Sequence, residues 1–578
     1  MPIRPEPIRN PAPGYPGRLR RAAALLILAA ALAALLAWAL DRGRPVPLAE
    51  VAQARLPCIS YAPFRRPGEA PDDPNLVIAP DRIEADLRQL ATLTGCVRTY
   101  GLDHGLDAVP EIARRLGLRV LLGAWIDRDP EASAAQLDRA LALTRSHSDV
   151  IDLLIVGNEV LLRRERTPEA LASLLARARR ASEVPVAYAD VWEFWLRHGP
   201  VLRENVDVVA AHILPYWEDQ PVALDQAVSH VAAIARRLHE AFAPLPVYVA
   251  ETGWPAAGRQ RGPAVPGRLE QARFVRELLA HQASEPLPFN LVEGFDQPWK
   301  RRLEGAMGGA WGLFDQEGRA RMPLTGPVVP DTQAWQIALA AALGSLAGLG
   351  WAAWRLRGLW PTAVLALCGA GIAALLPLLW RHLVIWSRDP QDWGLGSLTL
   401  LLAILCALVA THRLATLAAS SAQGLPPRPG LVSAQRRRLP IGQRLAALLF
   451  LGLLFALAVD ALGLVFDGRY RPLPWPTPAV PALPLLALAL LGERLAPGAR
   501  EERFLAAVCA ACAPLILALE GLANTQALLY LALLLGLAVA VLLPHRAKGA
   551  RWQAADSAPG RTKTRAAMST AGAAQPTE

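Results

Sequence analysis

An α/β fold, a (β/α)8 TIM barrel outside the cytoplasm, joined to an all-α multispan membrane domain, is what the sequence predicts. Three observations carry this. Between residues 58 and 295 short apolar runs alternate eight times with amphipathic helical runs, the pattern of βα units around a parallel sheet. The repeat occupies about 270 residues, the usual extent of such a barrel. Beyond residue 333 long apolar stretches succeed one another, and across all 578 residues 53% are hydrophobic and only 19% charged, where soluble domains average about 25% charged.

Residues 1–21 are expected to form a cytoplasmic N-terminus. The apolar run at 22–40 follows Arg18, Arg20 and Arg21; it exceeds the apolar region of a signal peptide and predicts an uncleaved transmembrane anchor. The domain at 45–333 carries predicted strands at 58–63, 96–100, 118–124, 150–157, 184–190, 206–213, 246–251 and 289–295, with helices such as 80–94, 130–146, 167–182, 221–242 and 267–284 between them. A doubly wound open sheet would place a glycine-rich phosphate turn after the first strand. Tyr61-Ala62-Pro63-Phe64 stands there instead. A seven-helix membrane domain is expected at 334–543, with spans at 335–354, 359–380, 394–412, 444–466, 477–492, 503–522 and 525–543, and a disordered basic cytoplasmic tail at 544–578. The segment 477–492 is the weakest span, short and interrupted by Pro478, Pro481 and Pro484.

Eight spans put both termini on one side. Arg413, Arg428, Arg436, Arg437, Arg438 and Arg444, together with Arg546, Lys548 and Arg551, crowd the loops of that side, and cytoplasmic loops retain basic residues. The barrel then lies outside. Net charge is +10, yet the excess is terminal and membrane-adjacent while 45–333 is mildly acidic, which excludes nucleic acid as partner. The lipid bilayer is the partner of the apolar segments. Asp460 and Glu520 lie toward the outer ends of their spans, where a structural role is favoured over transport. Cys58 and Cys96 fall at neighbouring strand starts, where a disulfide is plausible in an oxidising compartment.

In a (β/α)8 barrel the C-terminal strand ends face the active site. Those ends carry Arg98 and Tyr100 on strand two, Asn158 and Glu159 on strand four, Asp190 on five, His212 and then Tyr216 on six, Glu251 and Trp254 on seven, and Glu293, Asp296 and Lys300 on eight. Trp125, Trp192, Trp217, Trp254 and Trp299 crowd the same rim, as flat faces suited to pyranose rings. Two carboxylates flanking a glycosidic bond are what its hydrolysis needs. Glu159 and Glu251 each end an apolar strand and form the natural pair; their spacing in sequence leaves retention and inversion both open.

At these residues the domain resembles glycoside hydrolase family 17, the β-1,3-glucanase-like barrels. Val156-Gly157-Asn158-Glu159-Val160 reproduces the family's acid/base motif, and Glu251-Thr252-Gly253-Trp254-Pro255 its nucleophile motif. Phe295, Lys300, Glu304 and Trp311-Gly312-Leu313-Phe314 are similar to its strand-eight region. The resemblance implies retention, with Glu159 as acid/base, Glu251 as nucleophile and Asn158 on the sugar 2-hydroxyl. Arg98, Tyr100, Tyr216, Trp217, Trp254, Glu293, Trp299 and Lys300 are the expected substrate-binding residues, with no metal and no cofactor. Two departures bear on linkage preference. His212-Ile213-Leu214-Pro215-Tyr216 stands where plant-type members have Asn-x-Tyr-Pro-Tyr, and Gln297 replaces an acid before Lys300, the only lysine of the domain.

The joined barrel and spans resemble bacterial membrane proteins of the β-glucan synthase or transglucosylase type. That implies a multi-pass inner-membrane protein with a periplasmic catalytic domain, acting on β-glucan oligo- or polysaccharide, with a separate glucan synthase as a further partner. The expected activity is cleavage and transfer of β-1,3-glucan chains, elongating or branching them. Plain endo-1,3-β-glucanase action and a non-catalytic glucan-binding or export role are the alternatives.

Overall fold

The computed structural model describes residues 15–51, 54–355, 358–419, 441–491 and 500–542. Most of the arginine-rich segment between 413 and 443, and the expected tail at 544–578, lie outside the described residues.

Eight parallel strands close into a barrel in chain order: β1 Cys58–Ser60, β2 Cys96–Arg98, β3 Arg119–Ala124, β4 Ile151–Asn158, β5 Val186–Val191, β6 Val208–His212, β7 Val247–Thr252 and β8 Phe289–Leu291. The closing pair is β1 with β8, Ile59 opposite Leu291. Every strand falls where the alternation predicts it, but β1, β2 and β8 are shorter. Pro63 follows β1 and has no N–H for a ladder, and after β8 the backbone turns so that Phe295 bridges to Phe314 instead. The helices Pro80–Leu90, Pro130–Ser146, Pro168–Ala181, Leu224–Phe242 and Arg268–Ser284 occupy the expected gaps, and Val109–Leu116 and Trp192–Leu202 add two more. Several begin with proline at the first turn, where a missing N–H is harmless. Asp129 and Thr167 cap two of them by accepting backbone N–H groups of residues two or three further on. Among the described residues, β8 is followed only by the short turns Pro298–Lys300, Arg301–Glu304 and Ala306–Gly309.

Two apolar layers form. Between strands and helices lies the large one, with Ile59, Val97, Leu154, Val209 and Phe289 fully buried. The lumen holds Cys58, Cys96, Leu121, Leu153, Ile155, Ala187, Ala189, Ala210 and Ala250, the opposite face at the two-residue period of a strand. Cys58 and Cys96 are joined by a disulfide at the starts of β1 and β2.

Among the described residues, seven helices are long and apolar enough to cross a membrane, the first ending at Arg42 and the last being Thr525–Leu542. The eighth expected span is the exception. Pro476–Leu490 has only 15 residues, with Pro481 and Pro484 inside it, short of the roughly 20 a full crossing needs. The helices Trp335–Arg355 and Leu359–Trp386 meet closely, because Gly344 and Gly348 of one face Gly369 and Leu365 of the other backbone to backbone.

Candidate active site

Alternation along β4 and β7 would send Asn158 and Glu251 to the helix side, the face of Val156 and Val249. Both strands carry one extra residue at this point. On β4, Ile155 pairs with Ala187 but Asn158 with Ala189; on β7, Ala211 pairs with Val249 but His212 with Glu251. Such bulges re-aim side chains beside active sites. Here they bring Asn158 and Glu251 to the lumen mouth with His212. Glu159, the next residue, has φ +54°, a left-handed conformation that a non-glycine residue holds only when its surroundings impose it. Its N–H bonds Ala189 O at 2.8 Å.

His212, 1% exposed, stands between the two glutamates. Its Nδ1 lies 3.0 Å from Glu159 Oε1 and its Nε2 3.5 Å from Glu251 Oε1. Glu159 and Glu251 each bring an oxygen within 4.8 Å of the other. Retaining glycosidases hold their carboxyl groups about 5–5.5 Å apart and inverting ones about 6.5–9.5 Å. An approach this close is compatible with retention, whereas inversion needs room for a water between the two groups.

Beneath the pair lies Arg98, 1% exposed. It donates from Nη1 to Glu251 Oε1 at 2.9 Å and Ala250 O at 2.7 Å, and from Nη2 to Asn158 Oδ1 at 2.6 Å. The Tyr100 ring lies 4.7 Å from that guanidinium, and its hydroxyl bonds Ser60 Oγ at 2.8 Å. Burial raises the Glu251 carboxyl, but His212, Arg98, Lys300 and the Tyr100 hydroxyl outweigh it and hold the group below the usual carboxylate range. An ionised Glu251 suits a nucleophile.

Glu293 is 1% exposed, and Lys300 donates to its Oε2 at 2.9 Å. Burial pushes Glu293 up to about 7 against the pull of that ammonium. Glu304 is also raised to about 7, by burial first and then by repulsion from Glu159 and Glu251. Glu159, His212 and Glu251 are the one group among the described residues whose donor atoms could together hold a metal ion. Arg98 and Lys300 already supply positive charge there, which disfavours a dication.

Of the expected site residues, Arg98, Tyr100, Asn158, Glu159, Glu251, Glu293 and Lys300 converge on the mouth. Arg98 and Glu293 are buried under it and position other groups, a correction to their expected sugar contacts, while Tyr100 is half-buried. Trp299 stays on the rim, half-buried, with Nε1 donating to Gln297 Oε1 at 3.0 Å. Trp254 and Tyr216 are corrected too. Trp254 is 1% exposed, packed on Tyr216 and Phe274 with Nε1 bonded to Val265 O, while Tyr216 donates its hydroxyl to Arg259 O. Both are wall, with no face left for a sugar. Trp217 has two guanidinium groups at its ring, Arg261 at 4.8 Å and Arg469 at 4.7 Å. Sequence reasoning placed His212 on the rim without a role and named Glu304 only in passing; the signal for His212 was its departure from the asparagine of plant-type members.

The closed parallel barrel thus brings two acidic side chains, Glu159 and Glu251, together at its C-terminal mouth. Residues 58–312 match the family model of the BtgE/BtgC glycoside hydrolase domain, which ends before the helix at Trp335. The chain is similar to the probable beta-glucosidase btgE of Aspergillus fumigatus, 29% identical over 268 residues that make up 44% of this chain and 45% of that protein. To its counterpart in Aspergillus flavus it is 30% identical over 227 residues, 38% and 36% of the two chains. The chain thus spans less than half the length of these relatives. Solved structures that resemble it include an active-site mutant of Rhizomucor miehei beta-1,3-glucanosyltransferase in complex with laminaritriose, with 24% identity, a TM-score of 0.41, and coverage of 46% of this chain and 95% of that one. An endo-laminarinase from Formosa aligns with 18% identity and a TM-score of 0.40, covering 47% and 86%.

Proposed function

We propose that the protein is a membrane-bound retaining enzyme that cleaves β-1,3-glucan and transfers the released chain to another glucan, elongating or branching it outside the cytoplasm. The observation that carries this is the pair of Glu159 and Glu251 oxygens within 4.8 Å. In the first step a Glu251 oxygen bonds the sugar C1 as the C1–O bond to the leaving sugar breaks, and Glu159 gives its proton to the departing oxygen. In the second, Glu159 takes the proton of an incoming hydroxyl, whose oxygen bonds C1 and releases Glu251. Arg98 fixes the nucleophile's orientation. Because that guanidinium takes the Asn158 amide oxygen, the NH2 is the end left for the sugar 2-hydroxyl.

Water and a sugar hydroxyl compete in the second step. Water is about 55 M, so transfer prevails only where an acceptor is held in line at high effective molarity. Attachment to a membrane favours transfer, since it retains the enzyme where glucan emerges. The Cys58–Cys96 disulfide supports an oxidising compartment, the bacterial periplasm in this reading. The arginine-rich segments support cytoplasmic termini, a reading that needs the short helix Pro476–Leu490 to cross as well. Arg259 supports this by meeting both Gly468 and Glu520, the barrel-side ends of the helices before and after it. Incubation of the whole detergent-solubilised protein with millimolar laminari-oligosaccharides should give products longer than the starting chain, detected by mass spectrometry. Only shorter products across a wide concentration range would leave plain endo-hydrolysis.

A further inference from the structure

The barrel presents its catalytic mouth to the membrane domain. Loops following β6, β7 and β8 all reach the ends of membrane helices. After β7, Arg259, 2% exposed, pairs with Glu520 and donates to the carbonyls of Gly468 and Arg471. Beside it Gln260 bonds Ala523 O at 2.8 Å and Thr525 Oγ1 at 2.8 Å, and Asn524 Nδ2 donates back to Gln260 O at 3.0 Å. After β8, Arg301 donates to Val384 O at 3.2 Å. After β6, Arg469 pairs with Asp219 and donates to Trp217 O at 2.7 Å.

The connection between the helices Ile441–Asp467 and Pro476–Leu490 comes nearest the chemistry. Gly305 has φ +75°, and a Cβ there would meet Tyr470 O at 2.7 Å. Its neighbour Glu304 is close enough for its charge to be felt with those of Glu159 and Glu251. The Tyr470 backbone thus lies against the residue next to Glu304. Its ring contacts Trp217 edge-on at 6.0 Å between centroids and is 39% exposed. Trp217 is held by two guanidinium groups, so the open aromatic surface of this cluster belongs to Tyr470.

We propose that the segment 468–471 of the membrane domain completes the glucan-binding cleft, with Tyr470 as the platform for a glucosyl unit beyond the catalytic subsites. This rests on the glucan-active reading above. Trp217 and Arg469 hold the platform in place, and a chain seated on it runs along the outer surface of the membrane domain.

The test uses the whole protein in detergent. Initial rates are measured on laminaritriose and on longer laminari-oligosaccharides for wild type, Tyr470→Ala, Tyr470→Leu and Tyr470→Phe. Loss of a stacking contact should raise KM about 5–10-fold for the longer chains and leave kcat and the trisaccharide unchanged. Tyr470→Phe should restore the wild-type value, whereas Tyr470→Leu, which keeps bulk without a flat face and stands in if the alanine variant fails to fold, should not. Constants within twofold of wild type for both Ala and Leu variants overturn the proposal. If wild type turns over none of these chains, calorimetric titration with the same oligosaccharides decides. Binding that Tyr470→Leu weakens keeps the subsite while the enzymatic reading fails; binding indifferent to it, or none, overturns the subsite.

Discussion

Arg98→Met removes the group on which Glu251, the proposed nucleophile, leans. Three buried acceptors, Glu251 Oε1, Asn158 Oδ1 and Ala250 O, lose the Arg98 donor at once, and of these Ala250 O keeps Asn290 Nδ2 at 2.9 Å. Breaking one partner out of a buried ion pair costs about 3–5 kcal/mol, so the thermal midpoint of the barrel should fall by several degrees. The kinetic effect has two separable parts. In wild type the Glu251 carboxyl lies below its usual range, near 4.3 in an unperturbed glutamate. Its contribution to stability is therefore complete above that value and is lost as pH falls through the depressed one. Without Arg98, burial is opposed only by His212, Lys300 and the Tyr100 hydroxyl, and an opposite charge at this distance accounts for about 1–3 pK units. The acid limb of the kcat/KM profile should move upward by that amount. On the plateau, where Glu251 is ionised in both proteins, misplacement of the nucleophile should still lower kcat/KM by about 100-fold or more. The assay is release of reducing ends from laminari-oligosaccharides between pH 3 and 8, with folding followed by circular dichroism. A folded Arg98→Met protein whose acid limb has not moved and whose plateau lies within threefold of wild type would refute the positioning argument. Arg98→Lys, which keeps charge but not the fork, should restore the limb and only part of the plateau.

Azide should rescue Glu251→Ala as an α-configured glycosyl azide and Glu159→Ala as a β-configured one, which chromatography and NMR distinguish; inverted products from wild type would contradict the assignment. Trp254→Ala should destabilise the barrel by about 3–5 kcal/mol through the cavity it leaves, read as a lowered thermal midpoint, while the KM of the surviving folded protein stays put. Alkaline phosphatase fused after residue 333 should be active, and a fusion within 413–443 inactive; the reverse pattern would invert the topology.

The position of every strand could be read from the sequence because an apolar run of strand length between turn residues has few other uses. That Glu159 and Glu251 would meet at the mouth was legible for the same reason, since each closes such a run at a C-terminal strand end. Which way a strand-end side chain faces was not legible. That depends on a one-residue slip against a neighbouring strand, a pairing made between segments up to 40 residues apart on β6 and β7. The five rim tryptophans show the same limit. Position after a strand places Trp254 and Trp299 alike, yet one is packed behind Tyr216 and the other stays on the rim, because helix Arg268–Ser284 supplies Phe274 to cover the first. The role of Tyr470 was invisible, since a loop between two apolar helices gives no sign of the domain it touches.

The extra residues in β4 and β7 act as phase shifters. Below them, the lumen is lined by Leu153 and Ile155 of β4 and Tyr248 of β7 in ordinary alternation; above them, the same strands deliver Asn158 and Glu251 to that side out of phase. Scaffold and chemistry are thereby written in two reading frames on one strand. Deleting a single residue between Ile155 and Asn158, or between Val249 and Glu251, would leave the lower lumen intact and turn the amide or the nucleophile toward the surrounding helices. Transplanting the pair onto a regular barrel would fail in the same way unless the slips travelled with the carboxylates, and a chimaera joined below them inherits the site whole.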